Sequence, residues 1–144
     1  MKKSKTKFVV IFLVVVGAIG LLAYRNFGSS GGGKVPCNNP AISDPPNLHW
    51  HPELTVMIEG EAATIPANIG LELGGCHRVL HTHDATGQIH VEPDFAQDFT
   101  LGDFMNVWKK PFSKTQILDK IADATHIITI TVDGTPSEEY KNLV

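Results

Sequence analysis

The chain has 144 residues, 42% hydrophobic and 19% charged, with a formal net charge of −3. That length suits one domain, and the balance of apolar and charged residues excludes a wholly disordered chain or a collagen-like one. The net charge averages two unlike parts, and all seven histidines lie between positions 49 and 126.

Residues 1–7 carry Lys2, Lys3, Lys5 and Lys7 and no acid. Residues 8–24 (FVVIFLVVVGAIGLLAY) carry no charge at all. As a helix this run would be about 26 Å long, enough for a bilayer core. It is longer than the apolar core of about 7–15 residues in a cleavable signal, and Tyr24-Arg25-Asn26-Phe27 is a poor cleavage site. A transmembrane signal anchor is therefore expected over 8–24, ahead of a cleaved signal. The lysines keep the N-terminus cytoplasmic and put the remainder on the far side of the cell membrane. Residues 25–36, with the run GSSGGG from Gly28, read as a flexible linker. Residues 37–144 are the expected extracytoplasmic domain. From residue 35 onward six basic residues face all fifteen acids, a net charge of −9. So acidic a surface disfavours nucleic acid and tolerates cations. The expected partners are the membrane through 8–24, a metal ion and an envelope protein.

Within the domain, 53–59 alternates and is rich in β-branched residues, predicting a strand that turns at Gly60-Glu61 into a short partner over 62–65. Residues 79–84 and 88–92 predict a second hairpin around Ala85-Thr86-Gly87. Thr100 is placed to cap a helix, with Asp103 three residues on, and Leu101, Phe104, Met105 and Trp108 fall on one face. Residues 114–122 suggest a second short helix. Residues 126–132 (HIITITV) predict a strand ended by the turn Asp133-Gly134. Pro136 then interrupts, so the returning strand is expected at 140–144 or is cut short. The sum is an α+β domain, mostly antiparallel sheet with one or two short helices. A β-grasp-like sheet and a cupredoxin-like sandwich both remain open.

His49-Trp50-His51 and His81-Thr82-His83 are H-x-H pairs, and His90-Val91-Glu92 repeats the spacing with a carboxylate. Residues i and i+2 of extended chain point to the same side, so each pair offers two ligands side by side. His49, His51, His81, His83 and His90 are the expected ligands of a transition metal, copper first and zinc second. Whether His90 joins depends on register: a two-residue loop pairs His81 with His90, and a slip by one residue turns His90 away. Glu53, Asp84 and Glu92 are candidates for additional ligands or for acceptors of the free ring N–H. His77 and His126 stand outside the spacing. Outside the membrane Cys37 and Cys76 are expected to form a disulfide; thiolate ligation of a soft metal is the alternative. No G-x-S-x-G and no phosphate-cradling glycine loop is present, so no catalytic residue is assigned. The expected role is holding, delivering or sensing metal. The alternatives are a metal-dependent enzyme and a metal-free, membrane-tethered interaction module.

Three stretches together, H-W-H-P-E-L-T-V from His49, I-P-A-N-I-G from Ile65 and L-H-T-H-D-A-T-G-Q-I-H-V-E from Leu80, followed by T-L-G-D-F from Thr100 and by Trp108, resemble an uncharacterised prokaryotic family. Its members are small secreted or membrane-anchored proteins. The resemblance spans about residues 47–134 and groups the motifs without supplying an activity. In that family the first motif reads H-x-H-x-H-L, and Glu53 stands where the third His would be. A weaker resemblance is to cupins: Gly75, His81 and His83 fit their first motif, Gln88 replaces its Glu, and Phe95 holds the place of its last Gly. That resemblance would imply a metal-dependent oxygenase or isomerase.

Overall fold

The structure, a computed structural model, describes residues 6–13 (as backbone), 35–38, 48–73 and 75–144. Its main sheet contains β1 (Thr6–Leu13), β2 (Glu53–Ile58), β3 (Glu61–Ala63), β8 (His126–Val132) and β9 (Thr135–Ser137), in the order β3-β2-β1-β8-β9. Two small hairpins lie apart from it: β4 (Leu80–His81) with β5 (His90–Val91), and β6 (Gln116–Ile117) with β7 (Lys120–Ile121). Among the described residues one α-helix, α1, covers Leu101–Val107, and one 3₁₀ turn covers Tyr140–Asn142. All the pairings are antiparallel except β1 with β8. A small, mostly antiparallel α+β domain is therefore what the sequence folds into.

Period-two patterning explains the sheet. In β2, Leu54 and Val56 are buried while Glu53 is exposed, and in β8 Ile128 and Ile130 are buried between half-exposed neighbours. Both strands send their buried residues into one core shared with Ile65, Ile69, Leu80, Ile89 and the inner face of α1. The helix starts as its sequence dictates. The Thr100 hydroxyl accepts the Asp103 N–H at 3.1 Å, and the Asp103 carboxylate accepts the Thr100 N–H at 2.9 Å, a reciprocal capping box. Leu101, Phe104 and Met105 are buried on the face the spacing predicted.

Two expectations are corrected. Residues 114–122 are not a helix but the β6–β7 hairpin, with Leu118 at φ +51° in its turn and Ile117 buried. The Ser113 hydroxyl accepts the N–H groups of Thr115 and Gln116, holding the chain in a turn where a helix would begin. The strand returning after Asp133-Gly134 is Thr135–Ser137, and it contains Pro136; residues 140–142 form the 3₁₀ turn instead. β9 is an edge strand, where a missing N–H costs nothing in the ladder. Thr6–Leu13, which overlaps the first residues of the anchor expected over 8–24, forms a strand between β2 and β8. Runs rich in Val, Ile and Phe suit a strand covered on both faces as well as a helix. Residues 14–24 of the expected anchor, and most of the linker, lie outside the described residues. No helix among the described residues is long and apolar enough to cross a membrane.

Candidate metal centre

Three segments meet at the histidines, with the one containing β5 in the middle. On one side β4 pairs with it in the predicted register, His81 opposite His90 and Leu80 opposite Val91. On the other side residues 50–54 run antiparallel to 87–91. Trp50 and Val91 exchange both backbone hydrogen bonds (3.1 and 3.0 Å), Ile89 N–H donates to Pro52 O (2.8 Å), and Leu54 N–H donates to Gly87 O (2.9 Å). His49 and His51 therefore flank His90 from one side, and His81 and His83 from the other.

The geometry follows from that layout. His49 and His51 place their Nε2 atoms 3.0 Å apart, and His81 and His83 place theirs 3.1 Å apart. The His90 ring lies 4.5 Å, centroid to centroid, from both His51 and His83, edge-on to each, and 5.2 Å from His81 in a stacked arrangement. Its Nδ1 meets Glu92 Oε1 at 3.0 Å, and the same oxygen is 2.8 Å from His49 Nε2. The other carboxylate oxygen, Oε2, is 3.7 Å from His81 Nε2. Two sets of donor atoms converge closely enough to hold an ion: His49, His51, His90 and Glu92, and His81, His83 and His90.

All five predicted histidines are thus brought together, and Glu92 with them. Glu53 and Asp84 belong to neither set. Glu53 is exposed opposite Gln88 on the segment beside β5. The Asp84 carboxylate accepts the backbone N–H and the hydroxyl of Thr86 (2.9 and 2.6 Å), and these bonds hold it below the ordinary carboxylate range. His77 is exposed, and His126 contacts Asp123 at 3.0 Å and Glu59 at 3.6 Å, so both stay outside the centre as expected. Cys37 and Cys76 form the disulfide, with Cα atoms 5.4 Å apart, and are not thiolate ligands.

Sequence spacing gave no notice of two supporting residues. Thr82, between the two histidines, is wholly buried; its hydroxyl donates to Pro66 O at 2.9 Å and accepts from Ile69 N–H at 3.1 Å. Its backbone N–H and carbonyl bond Ile69 O and Asn68 N–H. The I-P-A-N-I-G segment thereby grips the H-T-H triplet from behind and presents both imidazoles on the opposite side. A small β-branched hydroxyl residue at the middle of H-x-H is the only signal of this. Arg78 supplies the second support through its backbone carbonyl, 2.8 Å from His81 Nδ1. An imidazole whose Nδ1–H is donated to a carbonyl keeps its lone pair on Nε2, the nitrogen that faces His83. The Arg78 side chain is itself fixed, bonding Val35 O at 2.7 Å and Glu72 at 2.6 Å.

Burial and neighbouring charge shift three of these groups. Burial lowers the pKa of His81, against the opposing pull of the Arg78 carbonyl and of Glu92. Partial desolvation and then the neighbouring His90 and His49 lower that of His51. At Glu92 desolvation pushes upward, but the bond from His90 and the charges of His81, His49 and His90 outweigh it, and the carboxyl lies below its ordinary value. Shifts in these directions, toward neutral imidazole at His81 and His51 and ionised carboxylate at Glu92, are those that metal ligation requires. No family model, curated protein or solved structure matches this chain.

Proposed function

We propose that this domain binds a transition-metal ion through the histidine–glutamate cluster and serves to hold, deliver or sense it. The observation that carries the reading is His81: a buried imidazole with Nδ1 committed to the Arg78 carbonyl and Nε2 directed at His83. Ligating histidines are fixed in this manner, the distal nitrogen bonded so that the proximal one faces the ion. A cation would take the place of the proton that each close pair of Nε2 atoms now shares. Copper is the first candidate and zinc the second, because imidazole suits both and Cu²⁺ binds a given nitrogen site more tightly. His49, His51 and His83 are exposed, which suits an ion that is exchanged with a partner rather than locked in as a structural element.

The basic tip and apolar run at the N-terminus support a single-pass anchor in the cell membrane with this domain outside, where the Cys37–Cys76 disulfide would persist. An anchor requires Phe8–Leu13 to leave the sheet, so a chain beginning at residue 35 tests it. A folded product supports the anchor, and an unfolded one makes β1 an obligatory strand.

The test of metal binding is direct. The full chain, stripped of metal and re-equilibrated with Cu²⁺ or Zn²⁺, retains stoichiometric metal after desalting. Replacing His83 and His90 by Ala abolishes or sharply reduces that content. Metal-free protein, or a variant that binds as well as the parent, refutes the proposal.

A further inference from the structure

Two sets of donors share one residue, and together they exceed what one ion takes. The sets are His49, His51, His90 and Glu92 on one side and His81, His83 and His90 on the other. Ligands to a single ion with metal–nitrogen bonds of about 2.0–2.1 Å lie at most about 4.2 Å from one another, and Zn²⁺ in proteins takes about four of them. Five imidazoles and a carboxylate do not fit one such shell. The Nε2 separations inside the two outer pairs, 3.0 and 3.1 Å, each match an edge of a shell of that size. Two shells, one per pair, account for every donor.

Resting on the metal-binding reading, we infer that the centre is binuclear, with one ion in each set and His90 shared between them. The first ion is held by His49, His51 and Glu92, the second by His81 and His83, and the His90 ring joins the two. An imidazole has one nitrogen on each flank. Nδ1 of His90 meets Glu92 Oε1, the oxygen that also meets His49 Nε2, while Oε2 of the same carboxylate turns toward His81 at 3.7 Å. The ring stands edge-on, at equal 4.5 Å distances, to one histidine of each pair. Ligation through both nitrogens releases the ring proton to solvent and leaves an imidazolate, whose negative charge adds to that of Glu92 between two dications. A domain carrying net −9 from residue 35 onward supplies a field that tolerates the added positive charge. The first shell then has four protein donors and the second three, which leaves the second ion an open position beside the exposed His83.

The test titrates the metal-free full chain with Cu²⁺, measuring bound copper after desalting and the spin intensity of its paramagnetic resonance spectrum. Two copper ions bind per chain. The spectrum grows with the first equivalent and falls well short of two spins at the second, because an imidazolate couples the two unpaired electrons. His49→Ala/His51→Ala and His83→Ala, all at exposed positions that leave the core untouched, each bind one copper, with the full intensity of one uncoupled spin. One copper in the parent chain, lost in either variant, means a single ion gathering ligands from both sets; it overturns the binuclear centre and leaves the metal-binding reading standing. Two copper ions at full uncoupled intensity mean separate sites and overturn the sharing of His90. No bound copper at all overturns both readings.

Discussion

Gly87 occupies the tightest point of the segment that carries His90, and its replacement measures how firmly that segment is held. Its φ is +91°, and a Cβ built on it would lie 2.3 Å from the carbonyl oxygen of Leu54. A non-glycine residue in the left-handed region costs about 1–2 kcal/mol. An ordinary carbon–oxygen contact is about 3.3–3.6 Å, so the two backbones must separate by about 1 Å. That separation breaks the 2.9 Å bond from Leu54 N–H to Gly87 O, at a site where both residues are buried. Leaving those groups unpaired adds about 1–3 kcal/mol. Gly87→Ala should therefore cost about 2–5 kcal/mol in all. Gly60 supplies the control: its φ is +92°, but a Cβ there meets nothing within 4 Å. Gly60→Ala should show the conformational cost alone, about 1–2 kcal/mol. For a domain near 100 residues, each kcal/mol moves Tm by about 4–8 °C. Thermal melts followed by circular dichroism, with urea midpoints at unchanged slope, separate the two variants. Losses equal within about 1 kcal/mol would show that the packing of 87 against 54 contributes nothing, and the reasoning would fail.

Three further outcomes are expected. Cys37→Ser/Cys76→Ser opens a loop of sequence separation 39 and should lower stability by about 4 kcal/mol on the chain-entropy account; urea unfolding measures it, and a change under 1 kcal/mol would mean that residues 35–38 are held by other contacts. Thr100→Ala removes the hydroxyl that caps α1 and takes from the buried Asp103 carboxylate one of its two donors, leaving the Thr100 N–H, for a loss of about 1–2 kcal/mol, whereas Thr100→Ser keeps the box and stays near the parent. The metal-free protein should lose stability as pH falls. His81 and His51 have folded pKa values below 6.5, so the unfolded chain takes up more protons as pH drops through that value; the depressed Glu92 continues the loss below 4.5. Tm recorded from about pH 7.5 down to 5 should fall, and a flat or rising profile would contradict the burial assigned to His81.

Local rules carried the parts of the fold that depend on near neighbours. The capping box at Thr100, the alternation in 53–58 and 126–132, and the His81–His90 register are each fixed within a few residues, and each stands as expected. The register is the sharpest case: His81 stands opposite His90, as expected, although the connection between them runs over residues 82–89. Segments whose local signals were ambiguous went the other way. Residues 114–122 carry apolar spacing that suits a helix, yet Ser113 and the positive φ of Leu118 close a hairpin. The apolar residues after Thr6 have no periodicity with which to choose between strand and helix. The centre itself was half legible. Spacing identified the pairs, but the pairing of 50–54 with 87–91 joins chain segments far apart in sequence and leaves no local mark. The grip of 65–70 on Thr82 is marked locally by nothing more than the β-branched hydroxyl residue between the two histidines. Glu53 and Asp84 could not be told from Glu92 by type or proximity; only Glu92 shares the side of its strand that His90 presents to the pairs.

The order in which this centre can be assembled follows from where its donors come from. Each H-x-H pair exists before folding as two nitrogens on a short stretch of chain, which on the proposed function would capture metal weakly and without choice of partner. His90 and Glu92 reach the pairs only once 50–54 and 79–82 have closed on either side of 87–91, so the complete ligand set is a property of the finished domain. Metal bound there stabilises the native state by its preference for that state over the loose pairs. Free metal present during synthesis would instead occupy the pairs early and could bridge the wrong ones. If the domain binds metal as proposed, loading would follow folding and disulfide closure, and the rate of metal uptake by a refolding chain would report the docking of three segments rather than the chemistry of ligation.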